Sequence, residues 1–141
     1  MDIRFDIKAM FFDRKAVLGA VDRATRNVLS KFGAFVRTTA KHSIRKRKAI
    51  SQPGQPPSSH VGTLRDLIYF GYDTTSRSVV IGPTPFRSTV EAPPLLEYGG
   101  TARLVRKGKS VVATYKPRAF MGPAFEKETS TLPALWASSI K

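Results

Sequence analysis

Residues 14–46 read RKAVLGAVDRATRNVLSKFGAFVRTTAKHSIRK, and the spacing of apolar residues in this stretch decides the fold. Val17, Val21, Ala24, Val28, Phe32 and Phe35 recur every three or four residues. Leu18, Leu29, Val36 and Ala40 widen the stripe and Ile44 continues it. Residues at that spacing share one face of a helix, so the period predicts a single long amphipathic helix. Thr39, four beyond Phe35, interrupts the first row, and Arg23, Arg26, Asn27, Lys31 and Arg37 lie mostly off the stripe. Asp13 is placed to cap the N-terminus. Gly19 and Gly33 each cost about 1 kcal/mol relative to Ala inside a helix; a small residue there suits the close approach of a strand or a second helix. About thirty helical residues span about 45 Å. A single small domain does not cover that length, so part of the helix is expected to pack on another subunit.

Upstream of the helix, Ile3, Phe5 and Ile7 alternate with Arg4, Asp6 and Lys8, the period of a half-buried strand. This start lacks the apolar core of a signal peptide, and no apolar run approaches the roughly 18 residues needed to cross a bilayer. The chain is therefore expected in the cytoplasm when made, with no membrane partner.

Downstream, the helix runs into Lys41, His42, Arg45, Lys46, Arg47 and Lys48. Cations complement the dipole of a helix C-terminus, which accounts for two or three of them; their density also suits the binding of an anion. Residues 49–62 carry Pro53, Gly54, Pro56 and Pro57, which exclude helix and sheet. So long a loop is uncommon within a compact domain, and it is expected to be an arm that orders on a partner. Thr63 is a candidate cap for a helical turn over 63–68. Strands are expected at 67–72 and 78–82 around a turn at 73–77, with Pro83 and Pro85 stopping the second. A short helix at 92–100 has proline in its first turn and glycine at its end. A second hairpin pairs 101–105 with 110–115 through Arg106-Lys107-Gly108-Lys109, and a final helix covers 122–139, broken or kinked by Pro133. The expected fold is a single α+β domain over residues 1–141. An antiparallel sheet of four to six strands packs against the long N-terminal helix and a shorter C-terminal one.

The 141 residues are 41% hydrophobic and 10% aromatic, which suits a globular domain rather than a disordered tail. There is no cysteine, so disulfides, thiol nucleophiles and cysteine-ligated metals are excluded. Neither His42 nor His60 has a second ligand at metal-binding spacing. The ten carboxylates include no paired motif for acid–base work, and neither a phosphate-cradling glycine loop nor a serine nucleophile elbow occurs. No catalytic, cofactor or metal residue is assigned, and the chain is expected not to be an enzyme.

The charge is more informative. A net charge of +14 and a pI near 10.7 favour anionic partners. Arg103, Arg106, Lys107 and Lys109 surround the second hairpin, with Lys116 and Arg118 just beyond. Such a hairpin either touches phosphates without reading sequence or is simply a solvated tip. No helix-turn-helix, zinc finger or aromatic stacking platform is visible, so a contact to DNA would be sequence-independent.

Three segments in order carry a resemblance. They are residues 54–68 (GQPPSSHVGTLRDLI), Leu95-Leu96-Glu97-Tyr98-Gly99, and Arg118-Ala119-Phe120-Met121-Gly122-Pro123-Ala124-Phe125-Glu126. Together they resemble the tail-completion, head–tail joining proteins of tailed bacteriophages, over residues 54–126. Val61 and Ala119 depart from the family pattern, where Thr and Pro are common. The resemblance implies a small α+β subunit forming a ring, commonly of six copies although twelve is open. That ring would lie between a connector or stopper protein and the tail tube or tail terminator, with DNA passing non-specifically through its lumen. Arg45, Lys46, Arg47, Lys48, Arg103, Arg106, Lys107 and Lys109 would then face DNA or the acidic surfaces of adjoining rings. Gln55, Pro56, Pro57, His60, Phe120, Met121 and Phe125 are candidates for contact between subunits, although the last three also suit anchoring the final helix to the core. The alternative is a sequence-independent nucleic-acid-binding protein.

Overall fold

The structure, a computed structural model, describes residues 13–85 and 92–139; the strand expected at 3–8 lies outside them. Helix α1 spans Arg14–Ser43, and the Asp13 carboxylate accepts a hydrogen bond from the Ala16 amide at 3.0 Å, the cap its position called for. The buried side of α1 is Ala24, Val28, Phe32, Gly33, Val36 and Ala40. Its first turns bury nothing: Val17, Leu18 and Val21 are 42%, 51% and 44% exposed. Phe35, expected on the stripe, is also exposed, because steps of three and four drift round the helix and the steps of four from Ala24 to Ala40 hold the core side.

β3 (Ile68–Asp73) and β4 (Ser78–Pro83) form an antiparallel hairpin laid across α1. Gly33 makes the crossing close: a Cβ there would stand 2.7 Å from Val79 Cγ2 and 2.9 Å from Phe70 Cδ2. Gly19 has no such neighbour, since its Cβ would meet only Arg23 at 3.6 Å. In the turn, Asp73 accepts from the Ser76 hydroxyl at 2.6 Å and the Thr75 amide at 2.9 Å, and these bonds hold its carboxyl below the ordinary carboxylate range.

The C-terminal region is two helices, α4 (Met121–Thr129) and α5 (Leu132–Ala137), with Pro133 in the first turn of α5. A proline tolerated there cannot continue a helix from upstream, so the expected break falls just before it. α4 lies against α1. Thr39, the polar residue interrupting the apolar row, donates its hydroxyl to Glu128 Oε1 at 2.6 Å and ties the two helices. Phe32 and Phe125 meet edge to face, with ring centroids 5.5 Å apart. The core is Phe32, Val36, Ala40, Ile44, Leu64, Ile68, Phe120 and Ala124, with Val79, Ile81, Leu96, Met121, Leu132 and Leu135 around it.

Two expectations need correction. Thr63 does not cap the short helix α2 (Thr63–Asp66); it is the first helical residue, and Gly62 stands before it with φ +92°. The strands do not merge into one sheet. β3–β4 is one ribbon and β5 (Gly100–Arg106) with β6 (Lys109–Tyr115) is another. A two-residue parallel pair, β1 (Arg45–Lys46) with β2 (Ser58–Ser59), is the third. The α+β class stands, with β3–β4 packed on α1 and β5–β6 forming a separate ribbon.

Candidate functional site

Where α1 ends, the chain turns back on itself. Arg45 and Lys46 pair with Ser58 and Ser59, and the Arg47 amide donates to the Ser59 carbonyl at 3.3 Å. The Gly54 amide donates to the Pro117 carbonyl at 3.0 Å, and the Arg118 Nε donates to the Ser51 carbonyl at 3.1 Å. The proline-rich loop expected to wait for a partner is thus stitched to its own subunit at both ends and in the middle. Pro57 and Ser51 are buried, while Gln52, Pro53, Gln55 and His60 stay exposed.

The segment α3 (Ala92–Tyr98) completes the junction. The Gly99 amide closes the helix on the Leu95 carbonyl at 2.9 Å, and Gly99 takes φ +73° with no room for a Cβ beside Pro117 and the Tyr115 carbonyl. Glu97 then reaches α4. Its Oε2 accepts from the Phe120 and Met121 amides at 2.9 and 3.0 Å, and its Oε1 accepts from the Gly122 amide at 2.7 Å. The first amides of a helix have no partner within it. Phe120 stands at the capping position, but its side chain is sunk in the core at 1% exposure. The cap is therefore supplied from 23 residues upstream. Pro123 has no N–H to satisfy, and a carboxylate at a helix N-terminus also gains from the dipole. The Arg118 amide donates to the Leu96 carbonyl at 2.6 Å, so all three segments that carry the resemblance meet at this junction.

Between them lies a cleft of about 260 Å³, lined by Arg47, Lys48, Ala49, Ile50, Ser51, Pro57, Ser58, His60, Leu96, Tyr115 and Arg118. Among the described residues no carboxylate lines it. Both arginines are oriented through Nε: Arg47 donates to Ser58 Oγ at 2.9 Å and Arg118 to the Ser51 carbonyl. Ser51 is 3% exposed, and its Oγ has no hydrogen-bond partner among the described residues.

The basic residues expected to act together are divided. Arg47 and Lys48 line the cleft, with His60 and Arg118 added from elsewhere in the sequence. Arg45 and Lys46 are exposed on the adjacent β1. Arg106 and Lys109 pair at the tip of β5–β6, whereas Tyr115 pairs with Gly100 at its base, so the tip cations stand about 20 Å from the cleft. Lys107 and Gly108, both at positive φ, form the two-residue turn that such a tip requires. Arg103 is exposed on β5. Ala102, Ala113, Leu104 and Val111 share one face of this hairpin, and none of its residues is buried. Val105 and Val112 on the other face are 79% and 64% exposed.

The expected inter-subunit residues also separate. Phe120 and Pro57 are buried inside the subunit rather than displayed to a neighbour: Phe120 sits in the core and Pro57 in the wall of the cleft. Met121 is half-buried against the core. Gln55, His60 and half of Phe125 remain on the surface, with Pro56 half-buried beside them. Among the described residues no group of three His, Asp or Glu is placed to hold a metal, and no helix is long and apolar enough to cross a membrane. The arrangement offers cations and hydrogen-bond donors to an anion. Two parts of it had no sequence signal: the cap from Glu97, which no local spacing rule connects to residue 120, and the burial of Ser51. No family model, curated protein or solved structure matches this chain.

Proposed function

We propose that this chain is a non-enzymatic structural subunit of a tailed-bacteriophage particle, assembling into a ring at the head–tail junction. The supporting observation is the junction itself. The three motifs behind the resemblance are far apart in sequence, yet the second and third are bonded directly through Glu97 and the Arg118 amide. The first packs against them, with Leu64 in one core with Phe120 and Ala124 and with Pro57, Ser58 and His60 facing Leu96 and Arg118 across the cleft. Such interdependence explains why these residue types would occur together and in order, as a shared fold requires. The uncovered first turns of α1 and the uncovered β5–β6 hairpin are surfaces that a neighbour in a ring would cover.

On this reading the ring has six copies, with twelve as the other closed arrangement. It joins a connector or stopper protein to the tail tube or tail terminator, and the unpaired basic surface faces DNA in the lumen or acidic neighbouring rings. The protein resides in the host cytoplasm until it joins the virion neck. The test is removal of the gene from a phage that carries it. Free filled heads and free tails, restored to joined particles by complementation, are the expected result; full infectious particles without the protein would overturn the reading. The second reading, a free nucleic-acid-binding protein, draws on the cationic cleft. It requires particle assembly to be unaffected by the deletion.

A further inference from the structure

We infer that the cleft at the end of α1 is a phosphate-binding site, built from Arg47, Lys48, Ser51, His60 and Arg118 with Tyr115 as its wall. The site deepens the head–tail reading by assigning one surface on the subunit to the DNA backbone, although its chemistry is independent of where the protein resides.

Four observations converge on it. Arg47 and Arg118 are each held through Nε, which orients their terminal nitrogens before any ligand arrives. A guanidinium positioned in this way presents a fork of donors that matches an oxyanion. Lys48 and His60 stand on the same cleft and, among the described residues, no carboxylate does, so the described lining is uncompensated positive charge. Ser51 lines the cleft, and its buried hydroxyl has no hydrogen-bond partner among the described residues, an unfavourable condition unless something supplies the missing bond. An oxygen of a bound phosphate supplies it once the hydroxyl, shielded from solvent in this structure, turns toward the cleft. Finally, the walls do not depend on a second chain: β1–β2, the Gly54–Pro117 bond and the Arg118–Ser51 bond hold the loop in place.

The hairpin tip differs in each respect. It holds as many cations, but they are exposed on a projecting turn none of whose residues is buried. Removing two charges at the cleft should therefore weaken phosphate binding more than removing three at the tip.

The experiment measures binding of the full-length protein to a random-sequence duplex of about 20 base pairs as a function of salt. Arg47→Ala/Lys48→Ala should weaken affinity roughly tenfold and flatten the salt slope by about two. Arg106→Ala/Lys107→Ala/Lys109→Ala should change affinity less. Ser51→Ala, which alters no charge, should lower affinity a few-fold while leaving thermal stability unchanged or raised. Inorganic phosphate should displace the duplex better than chloride at equal ionic strength. If it also occupies the site at low concentration while the duplex does not bind, the source is free phosphate rather than a backbone. Losses that track only the number of charges removed, wherever they lie, would overturn the site. So would tighter binding of a Glu-rich peptide than of phosphate or duplex with the same dependence on Arg47 and Lys48, which would make the cleft a contact for an acidic protein. Either failure leaves the ring reading intact, because that reading stands or falls on particle assembly.

Discussion

The two hairpins of this molecule have the same topology and opposite fates. β3–β4 lies on α1, sends Ile68 into the core and forces Gly33 to be small. β5–β6 is of similar length, but its more apolar face carries only Ala102, Leu104, Val111 and Ala113 between the Arg106–Lys109 pair at the tip and the Gly100–Tyr115 pair at the base, and none of its residues is fully buried. An isolated two-stranded ribbon is marginal in water, so the second hairpin depends on surroundings that the first already has. The same contrast runs along α1, packed from Ala24 to Ala40 and uncovered at Val17, Leu18 and Val21. One half of the subunit is finished within the chain. The other half displays apolar surface of the kind a neighbour covers, which under the proposed function is the next subunit in a ring.

The sharpest way to break this comparison is to attack the finished half. Phe120→Ala empties the centre of the core and should cost about 3–5 kcal/mol in denaturant unfolding. A loss below about 1 kcal/mol would mean the core is not centred there. Glu97→Ala removes the shared acceptor of three amides at α4, which should cost about 2–3 kcal/mol. Its signature is local: amide exchange should accelerate at Met121 and Gly122 before it does at Val28 or Val36. The two helix glycines give a matched pair. Gly33→Ala should destabilise by about 1–2 kcal/mol, because the crowding of Val79 and Phe70 outweighs the gain in helix propensity. Gly19→Ala meets only Arg23 at an ordinary contact distance of 3.6 Å and should stabilise by up to about 1 kcal/mol, so equal signs for the two would refute the asymmetry along α1.

The unfinished half should respond least. Val112→Ser and Val105→Ser should shift the stability of the isolated chain by no more than about 0.5 kcal/mol. Under the ring reading, the same changes should reduce incorporation into particles. Normal incorporation would show that the exposed face of the hairpin is not a contact.

Much of the fold was legible because it rests on local periodicity. The period of α1, the Asp13 cap, both hairpins with their turns, and the break before Pro133 all follow from neighbours in sequence. What escaped depends on distance in sequence. Nothing near Thr63 reveals that Gly62 adopts a left-handed conformation there, and strand pattern alone does not tell whether two hairpins share a sheet or separate. The site divided in the same way. The run from Arg45 to Lys48 was visible as charge, but Ser51 and Arg118 join Arg47 and Lys48 only because the proline loop doubles back. Phe120 and Pro57 looked available for contact because apolar residues in short motifs carry no sign of which side they face.

Electron cryomicroscopy of an intact particle carrying this chain decides whether the subunit forms a neck ring. The expected image is a closed ring of this subunit at the neck, with Val17, Leu18 and Val21 of α1 and the exposed face of β5–β6 covered by adjoining chains. A neck without this subunit, or a ring in which both surfaces face solvent, would contradict it.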